Sequence, residues 1–222
     1  STTWMYSKFE GDNKSRDSIG RTFQTFVRQL ENLQVEYDLA SENIIKDRVQ
    51  VMGNHFQIGK RKYSTFIIPE GSENLNKPTV DALNKFIDQG GKLINLTRVR
   101  YMDGQLNETA LAKINQHFQE PKSFQPKVLF NSSQIAQTDS KPISLYHHRR
   151  KIGQNELIFL TNSSTEETIK LNVPVLFKHI YKMDLFSGET QKLARTEQKA
   201  LDLSLEPVEK DQTPIVSNLL RM

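Results

Sequence analysis

The stretch from residue 63 to residue 96 decides the fold, and it reads YSTFIIPEGSENLNKPTVDALNKFIDQGGKLINL. Residues 63–68 are rich in β-branched and aromatic side chains and end at Pro69, as a buried strand does on leaving a sheet. A helix is predicted from about residue 78 to 89, and another strand over 92–96. Strand, helix and strand within about 35 residues form a βαβ unit, which implies parallel pairing and a right-handed crossover.

The helix in this unit carries its own start and stop signals. Leu83, Phe86 and Ile87 form an apolar stripe at helical spacing. Pro78 lies near the first helical position, where its missing N–H costs nothing, and Gly90 is placed to end the helix. The pattern therefore predicts an amphipathic helix packed on a sheet.

The rest of the first half alternates helix and strand signals. Apolar residues at spacings of three and four predict a helix over 18–33, and a short strand is predicted over 37–39. The turn pair Gly53-Asn54 predicts a hairpin over 49–58. A further helix is predicted over 108–118. These elements favour an α/β domain, for which we expect a small flavodoxin-like three-layer arrangement.

The second half is typical of an all-β domain. Short β-like segments follow one another at intervals of roughly ten residues, separated by turn residues, which is the spacing of a small antiparallel β-sandwich. A linker is predicted at about 120–126, where two prolines occur without periodicity. We therefore expect an α/β domain over 1–120 and a β-sandwich over 127–222. The predicted strands cover residues 127–130, 143–148, 156–160, 168–173, 179–185, 201–205 and 215–220.

The composition excludes several classes of protein. The 222 residues are 36% hydrophobic and 25% charged, a soluble globular mixture, and we predict neither a membrane span nor a signal peptide. The absence of cysteine excludes disulfides and cysteine nucleophiles. A net charge of +4 without a sustained basic stripe argues against nucleic acid as a partner. Because the chain opens with Ser1, we expect that an upstream part has been removed.

A search for catalytic motifs finds no phosphate-binding loop, dinucleotide fingerprint or nucleophile elbow, so no cofactor is predicted. The five histidines form no zinc-binding pattern. His147 and His148 are adjacent on a predicted strand, so we expect one to pack inward and the other to face solvent. No catalytic, cofactor-binding or metal-binding residue is therefore assigned.

One rule of location does point to a candidate ligand site. The loop that contains Glu70 follows a predicted parallel strand, and Arg98 follows the neighbouring one. Open α/β sheets bind ligands at the carboxyl ends of their strands. Glu70 and Arg98 are therefore candidate ligand contacts, with a solvated loop before a helix as the alternative.

Three stretches carry a resemblance to a known family. Residues 62–69 with 83–94, the run 146–150 followed by 156–162, and residues 181–189 resemble parts of the C-terminal region of bacterial α-L-rhamnosidase-type enzymes, glycoside hydrolase family 106. They are similar, in that order, to its amidotransferase-like α/β module, its "HRR…YFLxN" strand pair and the "W-D-P-x-T-G-E" turn of its β-sandwich. The chain departs from the turn with Met183 where the family often has Trp and Phe186 near the Pro position.

The resemblance implies an accessory role. Family members carry acidic catalytic residues and a metal site in a large upstream barrel, and 222 residues filled by two modules leave no room for a barrel of roughly 250 residues. The implied partner is an upstream catalytic domain of the same polypeptide, in a periplasmic or extracellular enzyme. Arg149 and Arg150 are candidates for domain contact, with a solvated strand face as the alternative.

Three hypotheses of function follow. The first is a non-catalytic, structural part of a carbohydrate-degrading enzyme that has no activity alone. The second is a carbohydrate-binding module for a plant or host glycan, with Arg149 and Arg150 as ligand contacts. The third is a stand-alone α/β enzyme that uses Glu70 and Arg98, which we rank last because no nucleophile, cofactor loop or metal cluster accompanies them.

Overall fold

The structure is a computed structural model, which describes residues 11–124, 137–138, 145–174, 179–184, 187–193, 200–207 and 218–221. The chain divides into two compact units, which are Ser1–Phe26 with Asp38–Gln125 and Val27–Tyr37 with Pro126–Met222. The division after Gln125 lies inside the predicted linker, but sequence reasoning had left residues 27–37 in the first domain. The assignment of domains to 1–120 and 127–222 stays a prediction.

Residues 11–124 contain four α-helices, which are α1 (Asn13–Asn32), α2 (Glu42–Arg48), α3 (Lys77–Asp88) and α4 (Glu108–Asn115), and a 3₁₀ turn at Pro121–Ser123. Helix α1 begins five residues before the predicted start, and α4 ends three residues before the predicted end. Helix α2 was not predicted. Its cap is regular, since the Ser41 side chain accepts a hydrogen bond from the Ile44 N–H.

The strands of the first unit are β1 (Val49–Met52), β2 (His55–Ile58), β3 (Arg61–Tyr63), β4 (Thr65–Ile68), β5 (Asn74–Leu75), β6 (Lys92–Asn95), β7 (Tyr101–Met102) and β8 (Gln105–Leu106). Strands β1, β2 and β3 form an antiparallel sheet, in which Gly53 takes a positive φ of 56° at the predicted turn. The predicted strand over 63–68 is interrupted at Ser64, so that β3 and β4 belong to different sheets.

The predicted βαβ unit is confirmed. Strands β4 and β6 pair in parallel with Thr65 opposite Lys92 and Ile68 opposite Asn95, and α3 connects them. Helix α3 starts with a proline in its first turn, and Gly90 after its end has a φ of 80°. A second parallel pair joins β5 to β7.

The core of the first unit lies around α3. Val80, Leu83 and Phe86 of this helix are fully buried, and they pack with side chains from β1, β2, β4, β6, α2 and α4. The helix buries the predicted stripe, although Ile87 is only partly covered. Burial of this apolar face stabilises the α/β arrangement.

The described strands of the second unit are β9 (Gln137–Thr138), β10 (Leu145–Ile152), β11 (Asn155–Asn162), β12 (Ile169–Pro174), β13 (Tyr181–Met183), β14 (Thr190–Lys192), β15 (Ala200–Leu205) and β16 (Asn218–Arg221). They form a five-stranded sheet of order β10-β11-β16-β13-β14 and a three-stranded sheet of order β15-β12-β9. All their pairings are antiparallel. The second unit is therefore β-rich.

The predicted strands of the second half correspond to these elements with small shifts in their bounds. The segment 127–130 lies outside the described residues, as do Leu185 and Phe186 of the predicted turn motif. Strands β9 and β14 were not predicted. The core of this unit contains Leu145, Ile158, Leu160, Ile169, Leu171, Val173, Ile180 and Leu205.

One predicted strand is wrong. Residues 35–40 form neither helix nor strand, although a short strand was expected over 37–39. The side chain of Asp38 accepts hydrogen bonds from Arg61 and Tyr63.

The structure supports an α/β class for the first unit and a β-rich class for the second. In the part of the chain that the structure describes, no helix is both long and apolar enough to cross a bilayer.

Candidate functional site

A groove of about 1270 Å³ opens in the first unit where the chain leaves strand β4. Residues 66–76 form one wall, which continues to Thr79 in helix α3. Helix α1 contributes Ile19, Gly20 and Phe23, and residues 40–46 contribute the start of α2. The groove therefore lies at the carboxyl end of a parallel strand, the edge where α/β sheets bind ligands.

The loop after β4 packs closely on helix α1 through a glycine. Gly71 has a φ of 86°, and a Cβ built there would lie 3.2 Å from Cγ2 of Ile19. Both the left-handed conformation and the close contact favour glycine over any L residue with a side chain. Glycine at this position therefore allows the loop and the helix to form adjoining walls of the groove.

Two carboxylates hold the start of helix α3 in place. Glu42 accepts a hydrogen bond from the Asn76 N–H, and Oδ1 of Asp103 accepts one from the Lys77 N–H at 3.0 Å. Carboxylates suit this place because the first N–H groups of a helix lack intrahelical partners. These contacts fix the wall of the groove before any ligand arrives.

The groove is acidic overall. Its charged lining residues are Lys46 and the four carboxylates of Glu42, Glu70, Glu73 and Asp103. Glu70 is exposed, and no hydrogen bond or ion pair joins its side chain to another residue in the described part of the chain. Glu70 is thus the carboxylate at this edge most open to a ligand.

The structure separates the two residues that sequence reasoning placed at this edge. Glu70 lines the groove, but Arg98 does not, because its guanidinium lies over the ring of Phe118 at 4.3 Å from the centroid. Asn115 in α4 binds the chain that follows β6. Its side chain accepts a hydrogen bond from the Val99 N–H at 3.0 Å and donates one to the Val99 carbonyl at 2.8 Å.

Arg149 lies in an ion-pair cluster of the second unit. Its Nε and Nη2 donate to the two carboxylate oxygens of Glu36 at 2.8 and 3.1 Å, and Nε is also 3.1 Å from Oε1 of Glu156. The hydrogen bond to Glu36 raises the pKa of Arg149 above its usual value. Arg149 therefore fastens the segment Val27–Tyr37 to strands β10 and β11.

Arg150 and the two neighbouring histidines follow the alternation of strand β10. Arg150 and His148 are exposed, whereas His147 is half-buried on the same face as Arg149. Burial lowers the pKa of His147, and its Nδ1 has no hydrogen-bond partner in the described structure. The prediction of one packed and one solvated histidine is confirmed.

Sequence reasoning missed two parts of the groove. The first is α2, whose start was signalled by Ser41 before Glu42, a usual N-cap pattern. The second is the turn at Asp103 and Gly104 between β7 and β8, where both residues have positive φ. The dipeptide Asp-Gly is a strong hairpin signal and could have been found.

In the described part of the chain, no group of three or more His, Asp or Glu side chains is arranged to hold a metal ion.

No protein-family model matches the chain, and no curated protein matches it. Among solved structures, the chain is similar to a rhamnosidase from Novosphingobium sp. PP1Y, with a TM-score of 0.60 and 12% sequence identity. The match covers 85% of this chain and 19% of that protein, so this chain spans about a fifth of its length. At this identity the match shows fold alone. The chain therefore shares a rhamnosidase-like fold with one part of that protein.

Proposed function

We propose that the chain is a non-catalytic accessory part of a carbohydrate-degrading glycoside hydrolase of the rhamnosidase type. The observation that carries this proposal is that 85% of the chain matches the fold of only 19% of a rhamnosidase. A match to so small a share of that protein supports a role as one part of a larger enzyme. Its role is to pack on, and orient, an upstream catalytic domain of the same polypeptide, in a periplasmic or extracellular enzyme.

The contacts of the candidate residues support this role. Arg149 is engaged with Glu36 and Glu156, and Arg98 lies over Phe118, so both arginines have structural partners. The finer assignments, to the C-terminal region of family 106, an amidotransferase-like three-layer module and a β-sandwich, belong to the same proposal. They rest on the resemblance in sequence.

The proposal predicts that the chain hydrolyses no glycoside alone. We would incubate the chain, Glu70→Gln and the matched surface variant Glu166→Gln with 4-nitrophenyl α-L-rhamnopyranoside and measure release of nitrophenol. We expect no release above buffer from any of them. Turnover that is lost only in Glu70→Gln would instead support a stand-alone enzyme, and equal turnover that co-elutes with all three proteins through several columns would also contradict the proposal.

The size of the native protein gives an independent test. We would measure the intact mass of the protein isolated from its source, by immunoprecipitation and mass spectrometry. A mass well above ~50 kDa, enough to add a catalytic barrel, is expected. A mass close to 25.6 kDa would overturn the accessory role.

A further inference from the structure

The five-stranded sheet of the second unit carries apolar side chains on the face that points away from the core. Strand β11 alternates in burial along its length, and its buried residues include Ile158 and Leu160 of the core. Because successive side chains of a strand point to opposite faces, Leu157 and Phe159 point away from this core. A sheet face in contact with water normally carries polar residues at such positions. These two residues therefore mark a face that differs from an ordinary solvated one.

The strand register extends this face across the sheet. It brings Leu157 into one row with Arg150, Tyr181 and Lys192, and Phe159 into the next row with His148 and Met183. The rings of His148 and Phe159 lie 6.2 Å apart, as expected for side chains on one face. We call the surface formed by these two rows the outer face.

The apolar side chains of the outer face take no part in the core. Leu157, Phe159, Tyr181 and Met183 are half-buried, and none of them belongs to or packs against the core cluster of the described unit. Tyr146, which precedes His148 by two residues on the same side of β10, is 44% exposed. Contiguous apolar surface with a polar rim marks interaction sites, and aromatic residues, Met and Arg are enriched at protein interfaces. The composition of the outer face thus favours a protein partner.

The charged residues of the outer face are all basic. Arg150 and Lys192 are exposed and lie at opposite ends of one row, and neither forms an ion pair with a described carboxylate. On the other side of β10, by contrast, Arg149 is paired with Glu36 and Glu156. A basic face without carboxylates of its own is complementary to an acidic surface.

This charge also distinguishes between kinds of occupant. A second copy of the chain placed symmetrically on the outer face would bring like charges together, since both ends of the row are basic. A nucleic acid requires a sustained basic stripe, whereas the middle of this row holds Leu157 and Tyr181. An acidic protein surface with an apolar centre matches both the charged ends and the apolar middle.

We propose that the outer face docks on an acidic surface of the catalytic domain of the same enzyme. Its leucine, methionine and aromatic side chains are buried in the contact, and Arg150 and Lys192 pair with carboxylates of that domain. The proposal deepens the function proposed above and rests on it, because it gives the packing role a defined surface and a partner of defined charge. That surface lies on the side of β10 opposite to Arg149.

Oxidation of Met183 by hydrogen peroxide tests whether the outer face is covered. We would oxidise the protein isolated from its source and the 222-residue chain alone, and follow each methionine by peptide mass spectrometry. We expect Met183 to react about tenfold more slowly in the native protein, which corresponds to a docked state favoured by about 1.4 kcal/mol. Met52 in strand β1, which is 54% exposed, is the control and should react equally in both.

A charge reversal and a zero-length cross-link test the acidity of the partner. In the full-length protein, Arg150→Glu should return the oxidation rate of Met183 toward that of the isolated chain, because like charges then face each other. The matched control is Lys170→Glu, at an exposed position of strand β12 in the other sheet, and it should leave the rate unchanged. Unfolding curves of the isolated variants check that both fold. A carbodiimide should join Lys192 of the native protein to an Asp or Glu outside these 222 residues.

Several outcomes would overturn the docking surface. They are equal oxidation of Met183 in the native protein and the isolated chain, equal slowing of Met52, no effect of Arg150→Glu, or no cross-link from Lys192 to a carboxylate outside the chain. Protection that nuclease treatment removes would assign the face to a nucleic acid, and protection of the isolated chain that is lost on dilution would assign it to a second copy. A native mass of 25.6 kDa would overturn the accessory function, whereas a larger native protein with a reactive Met183 would overturn the docking surface alone.

Discussion

Gly91 is required by packing rather than by backbone conformation. A Cβ built on Gly91 would lie 2.2–2.4 Å from three ring atoms of Phe86. The ring cannot move aside, because Phe86 is fully buried and meets Phe56 edge to face at 5.3 Å. Gly90 differs, since its φ is 80° while open space surrounds it. Glycine is therefore favoured at position 91 by packing and at position 90 by backbone conformation.

Replacement of these glycines by alanine should separate the constraints. We expect Gly91→Ala to lower the free energy of unfolding by about 1–3 kcal/mol through overpacking, and Gly90→Ala by about 1 kcal/mol through backbone strain. Urea unfolding measures both. In the Phe86→Leu background, Gly91→Ala should cost less, whereas Gly90→Ala should cost the same. An unchanged cost of Gly91→Ala in that background would refute the packing argument.

His147 is a half-buried titratable group on the same face of strand β10 as Arg149. Burial lowers its pKa, Glu31 and Glu36 act in the opposite direction, and the positive charges of Arg149 and His148 add to the lowering. The net result is a pKa below the usual 6.5. The folded protein therefore binds a proton at this site less readily than the unfolded chain does.

This difference makes stability depend on pH in a defined direction. Above about pH 6.5 both states hold the neutral imidazole and no penalty exists; as the pH falls below 6.5, the unfolded state gains the proton first and the folded state loses stability. We expect His147→Asn to reduce the loss of unfolding free energy that sets in as the pH falls below about 6.5. An identical pH profile in the unchanged protein and in His147→Asn would contradict this assignment.

At the scale of elements, prediction from sequence succeeded where the deciding contacts are local. The hairpin of β1 and β2 needs only the Gly53-Asn54 turn, and the βαβ unit needs only the stretch quoted at the outset. The strand expected over 37–39 is absent, and the side chain of Asp38 is instead bonded to Tyr63, 25 residues away, a contact that no local pattern marks. Burial and that hydrogen bond raise the pKa of Tyr63 to about 12.

The same distinction explains what could be predicted of the site. The location of Glu70 follows from a general rule on strand ends and needed no knowledge of distant contacts. Arg98 lies outside the groove, and the residue after it, Val99, is bonded through its backbone to the side chain of Asn115 in α4, 16 residues away. No pattern near Arg98 marks that contact.

Asn162 joins the end of β11 to two other segments. Its Nδ2 donates to the carbonyls of Glu167 and Leu205 at 2.7 and 3.0 Å, and its Oδ1 accepts from the Ser164 N–H at 2.9 Å. The side chain is almost fully buried. Its amide therefore satisfies three backbone groups at once, one of them in strand β15.

Loss of this amide should weaken the second unit. Because three backbone groups would lose their partner, we expect Asn162→Ala to lower the free energy of unfolding by about 2–4 kcal/mol. Asn155→Ala, at the exposed start of the same strand, should change it little. Chemical denaturation followed by circular dichroism makes the comparison, and equal effects of the two variants would show that these bonds add no stability.

At the scale of the whole molecule, the second unit is assembled from distant parts of the sequence. Arg149 and Glu36 are separated by 113 residues, and Glu156 completes the cluster from β11. The side chain of Glu156 is nearly buried, at 9% exposure. Removal of the guanidinium would leave this carboxylate without its cation.

Arginine replacements on the two faces of β10 test the cluster. We expect Arg149→Met to lower the free energy of unfolding by about 1–3 kcal/mol, and Arg150→Met, on the exposed face, to change it by less than about 0.5 kcal/mol. Adding Glu156→Gln to Arg149→Met should recover part of the loss, because the uncompensated charge is then absent. A double variant less stable than Arg149→Met would contradict this account.

The distance along the chain between Glu36 and Arg149 also sets an order of events during synthesis. At about 5–20 residues per second, the ribosome needs roughly 6–23 s to make the 113 residues that separate them. During that interval Leu30 and Val35, which are buried in the finished protein, lack the strands of their own unit. Residues 27–37 are therefore made long before most of their own unit, whereas every residue of the first unit has been made once the ribosome passes Gln125.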